Sequence, residues 1–331
     1  MPCSKDNTLF ENPTGALSAG AGLGLYVGKT NQFSDQLRRA VLHFDVAAAV
    51  PAGALILDAS LTVMVAQSSL TPPTSIRAHR LTQDWGEGTS APAATSGGGG
   101  GANSTPTDAT WVHTFFPGSQ WNNVGGDFAA TASFVIATPP TGSATSALSA
   151  NLIADVQSFL DSPAQNFGWL LKTDEIVSGS AVRLDSRENL LGSPPVLQIT
   201  YLTNGEAGAI GQGCLVGGQP FTHSWSAAPI GGTTLQLTMA NGPANALAAN
   251  LMSLTFSRTG VPIGPPCPMH LPFGGLVVTH SLVFLSATGS GAANIAIPPG
   301  FPGVMLTSQA AAIASNPAGF ILSNGMVALL Q

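Results

Sequence analysis

Residues 151–201 read NLIADVQSFLDSPAQNFGWLLKTDEIVSGSAVRLDSRENLLGSPPVLQITY, and this stretch decides the fold class. Ile153, Val156, Phe159 and Leu160 recur at the spacing of one helical face. Pro163 ends that helix, since proline cannot continue the hydrogen-bond ladder. Three strand-like runs follow, and the last, ending at Tyr201, closes a domain. The spacing predicts one short helix in a chain that otherwise reads as strands.

Working outward, Arg39, Val41, His43 and Asp45 alternate with Ala40, Leu42 and Phe44, the period of two expected for a half-buried strand. Pro51 and Gly53 turn the chain, and residues 56–66 and 75–81 give further runs. Residues 89–109 are Ser/Thr/Gly/Pro/Ala-rich and include the glycine run 97–101, which predicts a long loop of mobile or functional character. Gly125-Gly126-Asp127-Phe128 resembles part of a cyclic-dinucleotide synthase signature. It lacks the following glutamate and the α/β surroundings, and reads as a turn entering a strand.

Composition agrees with strands and turns. The 331 residues allow two domains, and only 8% are charged, against about 25% in typical soluble domains. Low charge with high hydrophobicity is the reverse of the disordered signature. Thirty-nine glycines suit short strands joined by turns. The net charge of −6, with no basic patch, argues against nucleic acid as a partner. No apolar run reaches the roughly 18 residues needed to span a bilayer. The start lacks the features of a secretory signal. Scarce lysine and abundant Gly, Ser, Thr and Ala nevertheless favour an exported protein, extracellular or at the cell surface, whose leader has been removed.

An ordered set of motifs adds a resemblance. Asp6-Asn7-Thr8-Leu9-Phe10-Glu11 is followed by the strand from Arg39 to Asp45, Pro51-Ala52-Gly53 and Ala59-Ser60-Leu61-Thr62-Val63. Then come Trp85-Gly86-Glu87, the helix before Asn166-Phe167-Gly168-Trp169, Ser186-Arg187-Glu188, and the run from Pro195 to Tyr201. Over residues 6–201 this resembles the DNRLRE domain, a β-sandwich module of secreted bacterial proteins. Some of its relatives are grouped with carbohydrate-binding modules for acidic polysaccharide. Thr8 and Phe10 stand where the family label has arginines. Residues 204–331 resemble a C-terminal module of exported planctomycete-type proteins, and residues 203–208 read as the linker. The expectation is an all-β chain of two tandem β-sandwich domains, of jelly-roll or immunoglobulin-like type, at 1–203 and 204–331.

Candidate chemistry is sparse. Asp84 and Glu87 flank Trp85, which reads either as a glycosidase-type carboxylate pair or as a tight turn with a core tryptophan. Arg183, Asp185 and Arg187 alternate, with Glu188 adjacent. They form either a groove for an anionic sugar or an ion-pair network with Asp45 and Arg39. Trp85, Trp111 and Trp121 offer either a sugar-stacking platform or core. Sugar-binding candidates are therefore Trp85, Glu87, Trp111, Arg183 and Arg187. Asp6, Asn7, Asp108 and Asp127, with Glu11, are candidate oxygen ligands for calcium, without repeat spacing.

Cys214 and Cys267 are candidates for one disulfide. Cys3 is left over as a free thiol or a bond to another chain. No nucleophile elbow, P-loop or dinucleotide fingerprint occurs. A lyase would need a base such as Tyr26 or Tyr201, and both lie in strand patterns. Residues 204–331 contain only two charged side chains, Glu206 and Arg258, which is unusual for a free monomer. The leading expectation is a non-enzymatic extracellular structural protein that associates with other copies of itself at the cell surface or in a filament. The alternative is a polysaccharide-binding module, and a polysaccharide-degrading enzyme ranks last.

Overall fold

The structure, a computed structural model, describes residues 1–68, 74–93, 99–272 and 274–331. Gly97 and Gly98 of the predicted glycine loop lie outside the described residues. The chain is all-β, with a short helix and one-turn helical segments. Two compact units divide it: Met1–Ala52 with Asp58–Thr200, and Gly53–Leu57 with Tyr201–Gln331. The sequence expectation had assigned residues 53–57 to the first unit. They belong with the second because Leu57 is buried in a cluster with Leu202, Ile210, Val327 and Leu329.

The strands of the first unit's large sheet are β1 (Lys5–Phe10), β2 (Gly24–Lys29), β3 (Leu37–His43), β4 (Leu55–Ser68) and β5 (Ser75–Arg80). They continue with β6 (Phe134–Ala137), β7 (Gly142–Thr145), β8 (Trp169–Lys172), β9 (Val182–Asp185) and β10 (Val196–Leu202). Their order is β6-β5-β8-β3-β2-β9-β4-β7, with β1 also on β3 and β10 also on β4. β2 meets β3 only through Gly28↔Arg38 and Lys29↔Leu37, so the sheet has two halves joined at that short seam.

β3 departs from the half-buried expectation. Ala40, Val41 and Leu42 are all fully buried, so both of its faces are covered. In register, Leu42 faces Trp169 and Ala40 faces Leu171, while Val41 faces Leu170 on the opposite side. Trp169 anchors the first side, with Phe44, Phe134 and Phe159 around it at ring-centre distances of 6.1, 5.5 and 5.1 Å. Phe159 comes from α2 (Ala150–Asp161), which follows the one-turn helix α1 (Val46–Ala49) in chain order. The Ser149 hydroxyl caps α2, accepting from the Leu152 amide. Its buried stripe is Leu152, Ile153, Val156, Phe159 and Leu160. Pro163 opens a 3-10 turn just past its end. The second side is covered by loops: Trp85, Trp111 and Trp121 pack on Leu9, Val41 and Leu170.

The second unit contains β11 (Ala207–Ile210), β12 (Thr222–Trp225), β13 (Thr234–Ala240), β14 (Leu247–Ser253), β15 (Val278–Phe284), β16 (Gly291–Ala296), β17 (Met305–Ile313) and β18 (Phe320–Leu329). One sheet is ordered β11-β18-β17-β14-β15 and the other β12-β13-β16. Trp225, Leu235, Leu237 and Ile295 of the small sheet pack on Met252, Met326 and Ala328 of the large one, a sandwich-like arrangement. Cys214 and Cys267 are disulfide-bonded, with 53 residues of sequence separation. Closing such a loop constrains the unfolded chain by roughly 4 kcal/mol. Cys3 is buried, so it is not presented for a bond to another chain.

With so little charge, buried polarity here is carried by neutral groups. Trp225 Nε1 donates to Ser308 Oγ at 2.8 Å, and His223 Nε2 lies 2.8 Å from the same hydroxyl. His223 Nδ1 lies 3.1 Å from the Thr238 carbonyl, which can only accept, so Nδ1 carries the proton and Ser308 donates to Nε2. The Ser323-Asn324-Gly325 segment belongs to this core. The Asn324 side chain bonds both the amide and the carbonyl of His223. A side chain at Gly325 would fall 2.8 Å from Ile210 and 2.9 Å from His270.

Burial lowers the His223 pKa to about 4. An unfolded histidine protonates near 6.5, roughly, so below that pH protons favour the unfolded chain. The stability held by neutral His223 is full above the unfolded value and is lost as pH falls toward the folded one. Calorimetric unfolding from pH 7 downward should therefore show wild type losing about 3 kcal/mol relative to His223→Gln by the folded pKa. Parallel pH profiles for the two proteins would refute this.

Candidate functional site

Four of the first unit's charged side chains meet at one place. β1 carries Asp6, the loop after β5 carries Glu87, and the turn after β9 carries Arg187 and Glu188. The loop around Glu87 is shaped by its two neighbouring glycines. A Cβ on Gly86 would sit 1.9 Å from the Thr107 carbonyl oxygen, and one on Gly88 would sit 1.6 Å from Asp108 Oδ1. Gly88 also has φ +71°, which glycine adopts without strain. Trp85 fixes the other side of the loop, with its indole donating to the Phe167 carbonyl at 2.9 Å.

Three carboxylates converge here. Asp6, Glu87 and Glu188 each place one oxygen within 4.8 Å of the other two, the one such group of three among the described residues. The Asp6 amide donates to Glu87 Oε1 at 2.7 Å. Arg187 forks onto Glu87, Nε to Oε1 at 2.6 Å and Nη2 to Oε2 at 2.8 Å. Its Nε also lies 2.9 Å from Glu188 Oε1. The Arg187 backbone amide donates to Asp6 Oδ2 at 2.8 Å. Asp6 Oδ1 and Glu188 Oε2 are buried with no donor from elsewhere in the chain.

The electrostatics follow from crowding. Burial, and then the charge of Glu188, push the Asp6 carboxyl well above its usual range. Burial also raises Glu188, against the pull of Arg187. The hydrogen bond to Glu87 holds Arg187 up. Burial raises the nearby Cys3 thiol, with Asp6 adding to it.

The predicted residues fall into three groups. Glu87, Arg187 and Asp6 come together as described. Trp85 and Trp111, read as either sugar-stacking or core residues, are 0% and 7% exposed, and Trp121 is buried with them. Their rings are core because the sheet face beneath them is apolar, so of the two readings the core one holds and Trp85 and Trp111 are not exposed for sugar stacking. Trp111 is further covered by Arg39 at 4.8 Å. Arg183 remains on β9, in register with Tyr26, and makes none of the cluster's hydrogen bonds.

The calcium set also disperses. Asn7 Oδ1 accepts from Thr8, Ser18 and Ala19, so it is committed to the fold. Asp108 braces the turn at Thr105, and Asp127 accepts from Asn122 and Asn123. Of the four, only Asp6 joins another carboxylate in the three-member group.

The predicted network of Arg39 and Asp45 with the β9 charges is replaced by local pairs. Arg39 pairs with Glu175 at 2.7 Å. Burial would raise Glu175, but Arg39 and Lys172 outweigh it and hold it below the usual range. Asp45 caps α1. Asp185 accepts from Asn189 and Ser193. Asp84 pairs with Lys5 at 3.0 Å. Sequence reading noted Glu188 but left it out of the site. Its partner Asp6 lies at the other end of the unit's sequence, so no local pattern pairs the two.

Arg187→Ala removes the cation beside Asp6 and Glu188 and so raises the folded pKa values of these two carboxyls further above the unfolded ones. Such groups oppose folding at high pH, and the opposition fades as pH falls and they protonate. Urea unfolding should show a loss of roughly 1–3 kcal/mol at mildly alkaline pH, discounted for the partial exposure of Arg187, and a smaller loss at mildly acidic pH. An equal loss at both would contradict this account. No protein-family model matches the chain, and no curated protein matches it.

Proposed function

We propose that this is a non-enzymatic structural protein, outside the cell or on its surface, that associates with other copies of itself through its second unit. The observation that carries the reading is β15. It is the edge of the five-stranded sheet and, among the described residues, pairs only with β14. Leu282 and Phe284, two residues apart and so on one face, are 64% and 77% exposed. Leu276, just before the strand, is 73% exposed, and Ile313 at the end of β17 is 60% exposed. Edge strands with exposed apolar side chains are templates for adding another chain, and proteins that stay monomeric usually guard them with charge. This unit has Glu206 and Arg258 as its only charged side chains, and neither lies on β15. A surface so poor in charge offers nothing to a charged partner, and its natural complement is an equally uncharged one, such as a second copy.

The Cys214–Cys267 disulfide and the scarcity of lysine support an oxidising, exported setting. The resemblance to DNRLRE modules points the same way. Polysaccharide binding is the weaker reading, because the tryptophans that would stack on a sugar are core.

Size-exclusion chromatography with light scattering, and electron microscopy of the full-length protein, test the proposal. Concentration-dependent multimers are expected, and Leu282→Lys with Phe284→Lys should return the chain to monomer with little change in melting temperature. A wild-type chain that stays strictly monomeric at high concentration would overturn it.

A further inference from the structure

The Asp6–Glu87–Glu188 cluster lies in the first unit and has no part in the self-association reading. Two of its oxygens, Asp6 Oδ1 and Glu188 Oε2, are buried with no donor from elsewhere in the chain, and the two carboxyls lie within hydrogen-bonding reach of one another. Asp6 is fully buried. Burying a carboxylate oxygen without a partner is costly, and native structures usually resolve it with a proton, a water or an ion. Glu87 Oε2 accepts one hydrogen bond, from Arg187, and retains a lone pair. Each residue therefore has an oxygen to give.

We propose that Asp6, Glu87 and Glu188 form a binding site for one hard divalent cation, calcium by its tolerance of irregular all-oxygen ligand sets. The oxygens lie within 4.8 Å of one another, the spread one ion covers when it holds ligands at about 2.3–2.6 Å. Magnesium, at about 2.0–2.1 Å, demands near-octahedral geometry and sheds its waters reluctantly, so a set of carboxylates already held by their own hydrogen bonds suits it less. Three carboxylates and one guanidinium leave two negative charges, which a divalent cation cancels. The ligands are also held in place. The Asp6 amide fixes Glu87, and the Arg187 amide fixes the far oxygen of Asp6. This set differs from the loop residues that the sequence singled out, since Asn7, Asp108 and Asp127 are engaged in hydrogen bonds that hold their own loops and lie outside the three-member group. An ion here would tie β1, the Trp85–Gly88 loop and the turn after β9 together.

The alternative is a proton shared between Asp6 and Glu188, and the experiment separates the two. The full-length chain, stripped with EDTA and held at neutral pH, is titrated with calcium chloride and in parallel with magnesium chloride. Heat of binding and melting temperature are recorded for each. One calcium per chain and a higher melting temperature are expected, with weaker binding of magnesium. Glu188→Gln, on the more exposed member of the set, should bind calcium roughly tenfold or more weakly while still folding in EDTA. No binding heat and no melting shift with millimolar calcium would overturn the site in favour of the shared proton. Wild-type affinity in Glu188→Gln would also overturn it, placing any ion elsewhere. Chromatography of the same samples reports self-association separately, because none of these residues lies on β15.

Discussion

The first unit depends on the fact that β3 and β8 are apolar on both faces. Val41 and Leu170 point one way, Leu42 and Trp169 the other, and all four are fully buried. A strand of that kind must be covered twice. α2 and the phenylalanines around Trp169 cover one side. The long connections between β5 and β6 cover the other, bringing Trp85, Trp111 and Trp121 down onto it. Loops normally run over a surface because their backbone polar groups need water. These loops can be buried because side chains such as Asn7, Asp108 and Asp127 satisfy their amides and carbonyls.

The acidic cluster follows from that second covering. Glu87 reaches Asp6 because its loop is drawn inward by Trp85 and shaped by Gly86 and Gly88. Once there, it receives an amide from β1 and a fork from Arg187, so it joins three segments distant in sequence. The same arrangement leaves Asp6 and Glu188 crowded and raised in pKa. The second unit solves the burial of polarity differently. It uses neutral chains through Trp225, Ser308, His223 and Asn324, and its surface is left almost without charge.

Much of the architecture was legible from one-dimensional pattern. The helix was readable from Ile153, Val156, Phe159 and Leu160 because helical periodicity is a local property. The all-β class was readable from alternation and turn residues for the same reason. β3 was read as half-buried because its polar-looking face, Arg39 and His43, alternates cleanly with an apolar one. Nothing local revealed that loop tryptophans would cover that face. For that reason the same tryptophans were candidates for sugar stacking until the structure placed them in the core.

The sequence by itself determined that the chain is mostly strands, that one helix carries Ile153, Val156, Phe159 and Leu160 and ends before Pro163, and that residues 204–331 carry almost no charge. Each of these depends on neighbours within a few residues. Only the tertiary structure decided that Asp6 meets Glu188, that Arg187 serves Glu87 and Arg39 serves Glu175, and that Asn7, Asp108 and Asp127 hold up loops. Ion pairs and ligand sets depend on distances across the sheet, and those are set by strand order and register. Alternation along a strand specifies which face a side chain occupies, and it carries no information about which distant strand will lie opposite.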